Sequence, residues 1–166
     1  METVDKSAVG SVPNNGMRFR LSLRMISLLL VAIGIGVSGY LSYVKATSVP
    51  MACLADSGFN CAAVQNSDYS ELMGVPIAYL GLATYIVIGG LILLQDRIPF
   101  LRQNGMILTF GIVLFAFLYS VYLVYVQGVI LEAWCQWCLM HEVNITVLFV
   151  VTSMRLRNYL NGSATA

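Results

Sequence analysis

The sequence predicts an all-α integral membrane protein: a four-helix bundle with an outward-facing loop that carries a cysteine pair. Three observations predict it. Only 10% of the 166 residues are charged and 58% are hydrophobic, whereas a soluble domain carries about 25% charged residues. The mean hydropathy is +0.80. Four apolar runs each approach the roughly 20 residues that cross a bilayer, and in lipid every backbone polar group must be satisfied within its own segment, so such runs form helices. At this length one domain is expected. A net charge of +1 leaves no footprint for nucleic acid.

Residues 1–17, METVDKSAVGSVPNNGM, and residues 158–166 read as mobile tails around a membrane domain at 18–157. The first helix is expected at 25–44, MISLLLVAIGIGVSGYLSYV. It exceeds the 7–15-residue core of a signal peptide and no small-x-small cleavage site follows, so it reads as a retained span. Small residues are expected at bundle interfaces, for example Ala32 with Gly36 and Gly34 with Ser38. In the following segment, 45–74, Asp56, Gly58 and Asn60 lie between Cys53 and Cys61 and favour a flexible turn. Residues 67–72, SDYSEL, suggest a short amphipathic helix across the bundle mouth, with Ser67 as its capping residue. The second helix is expected at about 75–94, with Pro76 in its first turn, where a missing N–H does no harm. The third falls at about 105–126 and the fourth at about 136–154, interrupted by His141 and Glu142.

Eight of the nine basic residues, namely Lys6, Arg18, Arg20, Arg24, Arg97, Arg102, Arg155 and Arg157, fall on one side of this topology; only Lys45 falls on the other. The positive-inside rule then places both termini and the 95–104 loop in the cytoplasm and the chain in a cytoplasmic (inner) membrane, multi-pass. Residues 45–74 and about 127–134 face outward. All four cysteines therefore lie on the outer side or at its boundary, where disulfides persist.

Structural bridges are one reading of these cysteines. The spacing of Cys135 and Cys138 favours another. A bridge between positions i and i+3 of a helix closes a tiny loop and constrains little in the unfolded chain. At a helix N-terminus the free amides and the macrodipole favour a thiolate, the attacking species in thiol–disulfide exchange. The pattern suggests a relay. An outer thiol partner is oxidised by Cys53/Cys61, electrons pass to Cys135/Cys138, and a lipid-soluble quinone at the membrane boundary accepts them.

His141 and Glu142 follow Cys138 on roughly the same helical face, Glu142 about 6 Å deeper. Ionisable residues in a membrane segment are expensive and mark functional paths, and quinone reduction consumes protons. The alternative is that the helix begins after Glu142 and both residues are solvated headgroup-level side chains. Trp134 and Trp137 suit an interfacial belt, with Trp137 also a candidate for the acceptor pocket. Tyr119, Tyr122 and Tyr125 form a stripe that packing explains and against which a quinone ring could lie, Tyr122 being the candidate quinone contact. A metal site is disfavoured, because four ligands from two turns of one helix cannot surround a tetrahedral ion.

Over about residues 20–155 the chain resembles the vitamin K epoxide reductase family, and is similar to its bacterial members. The resemblance rests on four helices, the Cys53-x7-Cys61 pair, Ser67 six residues later, and Cys135-x-x-Cys138 opening the last helix. It implies a bundle around a quinone (ubiquinone, menaquinone or vitamin K type) whose head group lies near Cys138. It also implies that the loop pair carries electrons from a thioredoxin-like protein to Cys135, with Cys53 meeting the partner and Cys61 the Cys135 side. Ser67 matches the family's loop serine. Many bacterial relatives carry a fused thioredoxin-like domain, which this sequence lacks, so a separate partner is expected. Animal members have tyrosine at the position of Glu142, so vitamin K epoxide is a less apt substrate than a bacterial quinone. The disulfide bond formation protein B family carries its two pairs in the reverse order. A non-enzymatic scaffold with plain structural bridges is the rival from another class.

Overall fold

The long apolar runs leave the backbone no acceptor but itself, and the chain answers with four long helices. The computed structural model describes residues 15–53 and 59–163, with side chains for 22–53 and 59–161. Helix α1 spans Asn15–Thr47, α3 Ile77–Leu94, α4 Pro99–Tyr125 and α5 Gln136–Ser163. Between α1 and α3 the connecting segment folds into the short helix α2 (Cys61–Gln65), a 3-10 turn (Asp68–Ser70) and a two-stranded hairpin, β1 (Glu71–Leu72) and β2 (Val75–Pro76). Among the described residues, four stretches are long and apolar enough to cross a membrane: Ser22–Thr47, Ile77–Leu94, Pro99–Ile130 and Gln136–Asn161. The protein is an all-α membrane bundle.

All four helices outrun or shift from their expected bounds. Helix α1 already contains residues 15–17, which the sequence assigned to a mobile tail, and α5 continues through Ser163, past the expected boundary at 157. The first fourteen residues and the last three lie outside the described residues. Hydropathy marks only what lipid covers, while a helix continues wherever its residues permit. The expected 95–104 loop shrinks to residues 95–98 because Pro99 opens α4 at its first position behind the extended Ile98, the position where proline's missing N–H is harmless. Pro76 takes the opposite course: it is the residue before α3, paired with Glu71 in the hairpin.

Residues 67–72 do not form an amphipathic helix. A single 3-10 turn is followed by β1, and the hairpin reverses at Met73 and Gly74, both at positive φ (53° and 81°). Glycine adopts that conformation freely, and Met73 is tolerated beside it at a tight reversal. Ser67 does not cap this turn; its hydroxyl donates to the Val64 carbonyl at 2.8 Å, closing α2 instead.

Helix α1 packs on α3 and α5, and α4 packs on α5 and α3. Their shared core is Val31, Tyr85, Ile88, Ile92, Val113, Ile145 and Leu148. Of the two small-residue pairs expected at interfaces, one is buried. A β-carbon on Gly34 would run into the Tyr85 ring, and Ser38 is buried. Ala32 and Gly36 face outward, with open space beside Gly36. Large apolar side chains such as Leu29, Phe115, Leu118 and Val143 are exposed along the outer faces, as a lipid-facing surface requires.

Gly34→Ala should therefore destabilise the bundle by about 1–3 kcal/mol through overpacking, whereas Gly36→Ala should change stability by less than about 0.5 kcal/mol. Thermal unfolding in detergent checks the pair; equal effects would show that α1 does not meet α3 at Gly34.

Candidate active site

Helix α4 ends in a π-type turn, Val126–Ile130, and the chain then passes through Glu132, held at positive φ (47°), to reach α5. This detour aims Gln127 back at the incoming helix. Its buried side-chain carbonyl accepts the Cys135 N–H at 3.2 Å, and its backbone carbonyl accepts from Ala133 at 3.1 Å. The Cys135 carbonyl in turn accepts the Leu139 N–H at 3.0 Å. Cys135 is thus the N-cap of α5, the position whose side chain faces unsatisfied amides of the first turn.

That placement accounts for its chemistry. The Cys135 thiol is held below its ordinary range, first by a hydrogen bond from the Cys138 thiol, and further by the Cys138 and Trp137 amides and by Gln65. Burial opposes these but does not outweigh them. Cys138, one turn on, accepts from Gln65 Nε2 at 3.7 Å. Cys135 and Cys138 are free thiols, while Cys53 and Cys61 are joined in a disulfide.

The bonded pair sits on the dithiol. Cys61, Val64, Ala133 and Cys135 form one buried cluster, with Cys53, Cys138 and Trp137 packed against it. Cys61 and Cys135 are both essentially fully buried. Helix α2 places Cys61 at its first position, capped by Asn60, whose Oδ1 accepts the Ala63 N–H at 3.1 Å. The Asn60 N–H donates to the Trp134 carbonyl at 2.9 Å, clamping the loop to the start of α5. Lys45 at the end of α1 holds the other flank, donating to the Gln65 carbonyl (3.1 Å) and pairing with Glu71 (3.3 Å). Residues 54–58, with Asp56 and Gly58 of the expected flexible turn, lie outside the described residues.

Beneath the loop lies a cavity of about 210 Å³. Its walls are mostly apolar, with Leu41, Ile77, Leu80, Phe115 and Leu123 among them, and Cys138, His141, Glu142 and Ser67 also reach it. His141 lies edge-on to Tyr85 (5.5 Å between centroids), and Glu142 accepts a hydrogen bond from the Ser120 hydroxyl. Both residues lie in the second turn of α5, so the helix does not begin after Glu142.

Two residues expected to contact the acceptor lie away from this cavity. Tyr122 is half exposed and does not line the cavity; Tyr119 does, because the helical period turns its neighbour away. Trp137 is not a cavity residue either. Its ring packs on Tyr40 (4.5 Å) and its Nε1 donates to the Ala52 carbonyl at 2.7 Å, so it carries the loop segment just before Cys53. Sequence reasoning did not find Gln65, Gln127, Ser120, Tyr85 or Asn144. Asn144 donates to Tyr85 Oη (3.0 Å) and to the Leu30 carbonyl (3.1 Å). A polar residue inside an apolar run was the available signal for Ser120 and Asn144. Among the described residues, no group of three or more His, Cys, Asp or Glu side chains is placed to hold a metal ion.

A dithiol at a helix N-terminus, packed against a disulfide at one end of a bundle of membrane-length helices, is thus the centre of the site. Residues 25–153 match the vitamin K epoxide reductase family; the chain belongs to that family. A relative, thiol-disulfide oxidoreductase LTO1 of Arabidopsis thaliana, is 33% identical over 107 residues. That match covers 61% of this chain and 28% of the relative's length.

Because the Cys135 pKa is lowered, its thiolate should persist below the ordinary thiol pKa of about 8.5 and be lost only as pH falls through the depressed value. Cys138→Ala removes the principal donor and should raise the Cys135 pKa by on the order of one unit. Thiolate absorbance titrated with the Cys53–Cys61 bridge intact measures this; an unmoved pKa would assign the shift to the amides alone.

Proposed function

We propose that the protein oxidises an extracytoplasmic thioredoxin-like partner and passes the electrons, through Cys53/Cys61 and then Cys135/Cys138, to a membrane quinone. The observation that carries this reading is the position of the dithiol. Cys135 is buried against Cys61, and Cys138, in the first turn of α5, opens onto a mostly apolar cavity.

Two partner thiols become a disulfide as the Cys53–Cys61 bond is reduced, Cys53 being the less buried sulfur and Cys61 facing inward. The Cys61 thiolate then attacks Cys135 of an oxidised Cys135–Cys138 pair, and Cys138 leaves as the thiol. Cys53 resolves the Cys61–Cys135 bond. The bonding state described here, loop pair joined and α5 pair free, is the one this exchange leaves. Two electrons and two protons then leave the dithiol as its bond reforms.

The cavity fits a quinone ring in size and chemistry. Small-molecule sites are concave and mostly apolar, with a few placed polar groups. Here Ser38 Oγ and Ser70 Oγ are buried on the wall without a hydrogen-bond partner in the protein, and such hydroxyls seek acceptors. A quinone supplies two carbonyl oxygens and takes up two electrons. His141 and Glu142 stand on the same wall to deliver protons. The basic-residue asymmetry supports an inner-membrane protein with both termini cytoplasmic and the cysteines outside.

Anaerobic reduction of a short-chain ubiquinone or menaquinone by the purified protein, with a reduced thioredoxin-like donor, tests the reading. Cys135→Ala and Cys138→Ala should each lower the rate by at least about a thousandfold, as loss of a reacting group does. Cys53→Ala and Cys61→Ala should block the protein donor yet leave part of the dithiothreitol-driven rate. Retained activity in both α5 variants would end the proposal, and failure to trap a Cys61–Cys135 link in Cys138→Ala would remove the relay order.

A further inference from the structure

At the opposite end of the bundle is a second cavity, of about 400 Å³, that the redox chemistry does not use. It is walled by Leu23 and Arg24 of α1, by Gln95 and Asp96 after α3, by Leu101, Arg102 and Met106 of α4, and by Arg155, Asn158 and Tyr159 of α5. Three guanidinium groups converge there from three helices, against one carboxylate among the lining residues. That carboxylate is committed: Asp96 pairs with Arg24, which also donates to the Ile92 carbonyl at 3.0 Å. Arg155 is half-buried, and its recorded hydrogen bonds go to neutral groups, Ser27 Oγ at 3.3 Å and Gln95 Oε1 at 3.4 Å. Among the described residues, two positive charges, half-buried Arg155 and exposed Arg102, are thus left around the cavity without a carboxylate. Partly buried cations are unfavourable unless an anion compensates them.

The apolar part of the wall points to the kind of anion. Leu23 and Leu101 are buried at the cavity, Met106 is half-buried, and the exposed apolar face of α4 begins beside it with Phe100 and Ile107. A guanidinium cluster at the end of an apolar helix surface matches an amphiphile with a phosphate head and hydrocarbon tail. Arginine's fixed fork suits phosphate oxygens, and basic pockets between membrane helices are suited to anionic head groups.

We propose that Arg24, Arg102 and Arg155 form a binding site for the phosphate group of an anionic phospholipid in the leaflet opposite the cysteines. The site ties α1, α4 and α5 together through the lipid head. It is independent of the quinone reading, since none of these residues touches the cysteine cavity.

Native mass spectrometry of the full chain from dodecyl maltoside micelles doped with dioleoyl phosphatidylglycerol or dioleoyl phosphatidylcholine tests it. Phosphatidylglycerol should be retained at least tenfold better, and its presence should raise the thermal midpoint. Each basic residue near such a head group is worth about fivefold in affinity, so Arg102→Gln and Arg155→Gln should each weaken retention by about that factor. Arg102 is exposed, so Arg102→Gln carries the test should Arg155→Gln fail to fold. Equal retention of the two lipids, or unchanged retention in the variants, would overturn the proposal. So would inorganic phosphate stabilising the protein as well as phosphatidylglycerol does, because the occupant would then be a free ion.

Discussion

A helix that begins with a buried residue must find partners for amides its own turns cannot satisfy. At Cys135 this constraint organises the cysteine-bearing end of the molecule. The backbone N–H goes to Gln127, which explains the π-type turn that re-aims the end of α4; such turns recur at functional sites. The amides two and three residues further on, of Trp137 and Cys138, face the Cys135 sulfur, where they favour the charged form. One local need of the backbone thus both anchors α5 and prepares the thiolate. With the Cys138 thiol as donor, the CxxC spacing becomes intelligible: three residues on is the position a helix brings back over its own N-cap.

The loop that carries the other pair is held by small, well-distributed contacts rather than by an extensive core. Asn60 on Trp134 and Trp137 on Ala52 attach it to the start of α5, and Lys45 on Gln65 and Glu71 attaches it to the end of α1. Most of these are partly exposed hydrogen bonds, the kind worth about 1 kcal/mol each. In the proposed relay, that suits a segment that presents Cys53 to a partner and Cys61 to Cys135. Lys45, the sole basic residue on that side in the sequence, is one of these attachments.

How much of this was legible in the sequence follows from what kind of signal each feature carries. The bundle was readable because lipid permits so few solutions to an apolar run of that length. The two cysteine pairs were readable because their spacing and their side of the membrane combine in one pattern. The hairpin at 71–76 was not, since strands of two residues carry no periodicity and only Gly74 hints at the reversal. Nor was the cavity wall. Tyr119 and Tyr122 look alike as a stripe, and only the packing of α4 on α5 decides which one turns inward. The loop contact of Trp137 was not legible for a related reason: an interfacial tryptophan and a loop-bearing tryptophan have the same sequence signature. Gln65 and Gln127 lie in segments where glutamine is unremarkable until burial makes its hydrogen bonds obligatory.

The distribution of charge links the two ends. Between the arginine cavity at one end and Lys45 and Glu71 at the other, the described helices carry His141 and Glu142 as their interior residues of the Asp, Glu, Lys, Arg and His types. Both face the cavity beside Cys138 rather than the lipid. A charge placed there without a task would be an expense in every fold of the chain. Transfer of two electrons from a dithiol into an apolar site must be matched by protons, or the site would accumulate charge it cannot solvate. The Ser120 hydroxyl on Glu142 holds one of these two side chains in place from α4, while α5 fixes the other against Tyr85. The two thiols and the two ionisable side chains therefore share one helix, and the spacing along α5 that brings Cys138 to the cavity also sets His141 and Glu142 on its wall.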